Sequence, residues 1–64
     1  MSLILTPNID DPDGFYAELI GAQRDLNEEE SLRVSARLVL LLANHVGDRA
    51  VLSEAIRLAR SPAG

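Results

Sequence analysis

The apolar positions of this chain fall into three runs with helical spacing, preceded by a short greasy arm. Leu3-Ile4-Leu5 gives way to Thr6-Pro7-Asn8, which breaks any helix, so residues 1–10 read as an extended arm. Such an arm either frays or docks on something. Phe15, Leu19, Ala22 and Leu26 then recur at four-, three- and four-residue spacing, one face of an amphipathic helix that Tyr16 and Ile20 widen. Asp11 is placed to cap it, with Pro12 at the first helical position and Asp13 in the first turn, which predicts helix 1 over about 12–25.

Asn27 followed by Glu28, Glu29 and Glu30 marks the next start, because Asn27 can cap while Glu30 reaches back in a capping box. Gly47 is a ready left-handed terminator, so helix 2 is expected over about 28–46, roughly 28 Å long at 1.5 Å per residue. Asp48 can cap helix 3, expected over about 49–60 and stopped by Ser61-Pro62. Val51, Leu52, Ala55, Ile56, Leu58 and Ala59 form its apolar side, and the final Pro-Ala-Gly is a tail. These elements predict an all-α fold, a single small three-helix domain over residues 1–64 with an extended N-terminal arm.

Helix 2 is the unusual element. It contains the unbroken apolar run Leu38-Val39-Leu40-Leu41-Leu42-Ala43, and six successive residues at about 100° each place greasy side chains all round the helix. With Leu38 at zero on the wheel, Leu32, Ala36, Val39, Leu42, Ala43 and Val46 occupy an arc from about 40° to 160°. That arc is expected to be the main core face. Val34, Leu41 and His45 form a second flank near 300° to 340°, beside a narrow polar seam of Glu30, Arg33, Arg37 and Asn44 at about 220° to 280°. Helices 1 and 3 can each cover one sector, which leaves Val34, Leu40 and Leu41 in want of a neighbour. Burying a large aliphatic side chain is worth about 1.5 to 3 kcal/mol, so a second subunit or another protein is the expected cover.

Size sharpens this expectation. A domain near 60 residues buries only about 60% of the surface its unfolded chain exposes and is marginally stable alone. The chain has no cysteine for a disulfide and no His or acidic cluster at metal-ligand spacing, which leaves association as the staple. No run approaches the ~20 apolar residues needed to span a bilayer, and the first residues lack a signal-peptide layout. A soluble, cytoplasmic protein with no membrane partner is expected. Net charge is −4 but divided: residues 1–32 carry eight acids against Arg24, a net −7, whereas residues 33–64 carry five arginines against Asp48 and Glu54, a net +3. Acids at helix starts and arginines in later turns suit the macrodipoles, and the same division makes a dipolar surface that can orient a partner.

The candidate chemistry is thin. His45 is the single histidine, and as a general base it would need an orienting acid and a nucleophile within reach. Asp48 is three residues on, beyond the expected helix end at Gly47, and a histidine in a last turn already has a role at the terminal carbonyls. Ser31, Ser35, Ser53 and Ser61 lie in no nucleophile-elbow context, and no Gly-rich phosphate loop exists. Asp11-x-Asp13-Gly14 matches part of a calcium loop, but aligning Gly14 puts Ile9 at the first ligand position and Ile20 where a bidentate Glu belongs. Capping explains these acids better. The short joint between helices 2 and 3 has the outline of a helix-turn-helix, with Arg49, Ser53, Arg57 and Arg60 on one face of helix 3. An acidic chain with so few phosphate contacts makes nucleic acid an unexpected partner. No enzyme activity, metal or cofactor is expected.

Two segments, Asp10-Asp11-Pro12-Asp13-Gly14-Phe15-Tyr16 and Ala36-Arg37-Leu38-Val39-Leu40-Leu41-Leu42-Ala43-Asn44-His45-Val46-Gly47-Asp48-Arg49, resemble a small bacterial family catalogued as domain of unknown function 2783. The resemblance runs from Asn8 to Arg60 and supplies no catalytic residues. It implies company, since such proteins tend to be encoded beside flavin-dependent aromatic hydroxylases. The leading expectation is therefore a non-catalytic interaction module, a homo-oligomer or an accessory of a flavoprotein monooxygenase, with a small DNA-binding regulator as the alternative. Its expected partner-binding residues are Val34, Leu40 and Leu41, together with Arg33, Arg37, Asn44 and His45.

Overall fold

The computed structural model describes residues 3–62. Among them the chain forms three helices in the order α1 (Pro12–Ala22), α2 (Glu28–Val46) and α3 (Arg49–Arg60), and no strand. Residues 3–10 have no regular structure. Met1 and Ser2 of the expected arm, and Ala63 and Gly64 of the expected tail, lie outside the described residues.

The capping chemistry is where the sequence places it. Asn27 Oδ1 accepts from the Glu30 N–H at 2.8 Å while Glu30 Oε1 accepts from the Asn27 N–H at 3.1 Å, a complete capping box. At the other end Gly47 takes φ 75° and donates its N–H to the Ala43 carbonyl at 2.9 Å, which ends α2. A side chain there would meet its own backbone, so glycine suits the position. Asp48 Oδ1 then accepts from the N–H groups of Ala50 and Val51 at 2.9 and 3.2 Å and starts α3.

Helix α1 is the exception, ending at Ala22 and not near residue 25. Two local features stop it. Asp25 adopts φ 65°, a left-handed conformation that no right-handed helix can pass through. The Gln23 side chain reaches across to α2, donating to Ser35 Oγ at 3.2 Å and accepting from Ser31 Oγ. These bonds tie the loop to the first half of α2.

The expected core face of α2 is left largely open. Ser31, Val34 and Leu38, near 320° to 20° on the wheel, are half covered, and so is Ala43 near 140°, while Leu32 (67% exposed), Val39 (63%), Leu42 (52%) and Val46 (51%) stay open. On the other helices the half-covered residues are Phe15 and Leu19 in α1 and Val51, Leu52, Glu54 and Ala55 in α3. Ile20, Ile56 and Leu58 remain exposed.

No described residue is buried, and no two helices pack along their lengths. The radius of gyration is 13.4 Å, against about 11 Å for a compact chain of this length. Accessible surface is 5930 Å², where a compact protein of this mass would show about 4,000 Å². A single chain is therefore an open frame of three well-capped helices with much of its apolar surface outward.

Candidate functional site

One surface that α2 can offer a partner flanks its half-covered line. Leu40 and Leu41 are each 70% exposed, and successive turns of the helix bring Arg37 and Asn44 beside them. Arg37, Leu40, Leu41 and Asn44 line one shallow groove. Val34, Arg37, Leu38 and Leu41 line a second. Because Arg37 and Leu41 belong to both, the two grooves form one continuous seam along the helix.

The residues expected to bind a partner are distributed around this seam. Leu40, Leu41, Arg37 and Asn44 are brought together on it, fully presented to solvent. Val34 stands at its edge and is half covered. Arg33 is exposed, with its guanidinium on Glu29 at 3.2 Å, an i,i+4 pair on the helix surface. His45 is exposed in the last turn of α2, outside both grooves. Asp48, three residues on, caps α3 through its Oδ1.

A larger apolar patch was misread from sequence as interior. Leu32, Ala36, Val39, Leu42 and Val46 are all exposed along an arc of about 120°. The wheel finds the arc readily, but periodicity alone does not say whether another helix covers it. A third groove lies at the arm, where Ile4, Leu5, Ile9 and Tyr16 are exposed between Pro7 and Pro12. The arm is held back to α3 by the Leu3 N–H, which donates to Glu54 Oε1 at 3.2 Å. Glu54 also faces Arg57 at 3.8 Å.

For the remaining chemistry, Asp11 Oδ1 accepts from the Gly14 N–H at 3.2 Å, the capping role that its position suggests. Among the described residues no group of three His, Cys, Asp or Glu side chains could hold a metal ion, and no helix is long and apolar enough to cross a membrane. The arginines of α3 point to solvent, Arg49 in the first turn and Arg60 in the last.

A family model described as "Protein of unknown function (DUF2783)" matches residues 3–61, nearly the whole chain and all three helices. The chain belongs to the DUF2783 family. Comparison with curated proteins gives no match, and neither does comparison with solved structures. For this DUF2783 protein the family assignment covers the helices, the arm and the α2 seam together, and attaches no activity to any of them.

Proposed function

We propose that this DUF2783 protein is a non-catalytic interaction module that docks on another protein through the outer seam of α2. The observation that supports this reading is the 70% exposure of Leu40 and Leu41 next to Arg37 and Asn44. Two adjacent leucines rimmed by a guanidinium and an amide have the layout of an interface patch, an apolar centre with a polar edge that fixes orientation. The protein class that the family resemblance implies as partner is a flavin-dependent aromatic hydroxylase.

Co-expression of the chain with a flavin-dependent aromatic hydroxylase tests the reading. The two proteins are expected to co-purify, and Leu40→Glu with Leu41→Glu is expected to abolish capture while leaving the helical circular dichroism in place. A hydroxylase that neither co-purifies nor changes in activity or uncoupling when the chain is added would remove it as the partner.

A further inference from the structure

We infer that the open stripe Leu32, Ala36, Val39, Leu42 and Val46 pairs two copies of this chain, with the two α2 helices antiparallel about a two-fold axis at Val39. The stripe is centred roughly opposite Leu41 on the wheel, and only its Ala36 edge, about 40° from Leu40, adjoins the seam assigned to a protein partner. Its members follow a spacing of four, three, three and four residues, the repeat that keeps one helix face against another helix over several turns.

The area points to a second copy. One chain exposes about 1,900 Å² more than a compact protein of its mass, and stable interfaces take about 800 Å² or more from each partner. A stripe whose four large members are all at least half exposed is the longest apolar surface on α2 with which to make such an interface. The excess is ample for a second copy on the stripe and another protein on the seam.

Charge and shape select the antiparallel arrangement. A parallel pair would set Glu28, Glu29 and Glu30 of one copy against the same three acids of the other. The antiparallel pair instead brings this −7 half toward the +3 half, where α2 carries His45 in its last turn and α3 begins with Arg49. It also opposes the two helix dipoles. With the axis at Val39, Leu32 faces Val46 of the second copy and Ala36 faces its Leu42. Small opposite large lets the helices approach to about 8–10 Å.

The test is solution mass followed by directed cross-linking, using the full chain, which has no cysteine of its own. Light scattering behind size exclusion is expected to give twice the 6.9 kDa chain mass. On mild oxidation Val39→Cys should form a covalent dimer. Leu32→Cys and Val46→Cys should cross-link with each other when mixed, and far less each with itself. A single-chain mass at all concentrations overturns the inference and leaves the partner seam untouched. Cross-linking of Leu32→Cys to itself, or of Leu41→Cys in preference to Val39→Cys, overturns the orientation or the face.

Discussion

Asp11 and Gly14 are a coupled pair. Asp11 sits at φ 49°, a left-handed conformation that aspartate tolerates better than most residues, and folds its carboxylate over the Gly14 N–H. A Cβ at Gly14 would run into that carboxylate. Replacing glycine by alanine in a helix ordinarily gains about 0.5 to 1 kcal/mol, while losing an N-cap costs about 1 kcal/mol. Gly14→Ala is therefore expected to gain nothing in the natural chain, yet to stabilise by about 0.5 to 1 kcal/mol in the Asp11→Ala background. Urea midpoints of the four proteins of this cycle decide it; an equal shift in both backgrounds would show that the two residues do not interact. Asp11 and Gly14 were legible in the sequence as a cap, but their steric coupling was not. It depends on the carboxylate's rotamer, which no spacing rule gives.

At the scale of elements, α2 and α3 begin and end where the sequence says, because both boundaries are written in local chemistry. Asn27 and Glu30 satisfy each other's backbone, Gly47 takes the left-handed turn, and Asp48 caps the next helix within two residues. Asn27→Ala is expected to destabilise by about 1 kcal/mol and to speed amide exchange at Glu30 before that of the mid-helix amides. Uniform acceleration along α2 would instead mean that the helix opens only as a whole. The end of α1 was not legible in the sequence. It is set by the left-handed Asp25 and by Gln23 bonding to Ser31 and Ser35, eight and twelve residues away, and a polar residue in a loop carries no periodic signal. Nor was it legible that most of the apolar arc of helix 2 would stay open, because periodicity names a face without naming what covers it.

For the molecule as a whole, the absence of any buried described residue ties stability to association. A two-fold pair that exists only when two chains meet has a melting temperature that rises with concentration. Circular dichroism melts over a hundredfold range of protein concentration are expected to shift upward by several degrees, and Val39→Glu, which sets two carboxylates together on the axis, should abolish the shift. A melting temperature independent of concentration would mean that one chain closes on itself. The expectation of association came from an over-greasy helix in a short chain, and the open frame keeps it. What changed is the allocation of surfaces. The arc read as interior is the one now assigned to a second copy, and Leu40 and Leu41 keep the outward position that the wheel gave them.

The frame without an interior has a consequence for the life of the protein in a cell. If a second copy and a partner cover these surfaces as proposed, an unassembled chain, with its leucines left to solvent, is expected to be cleared faster than an assembled one. The amount of protein in the cell would then follow the assembly rather than the rate of synthesis.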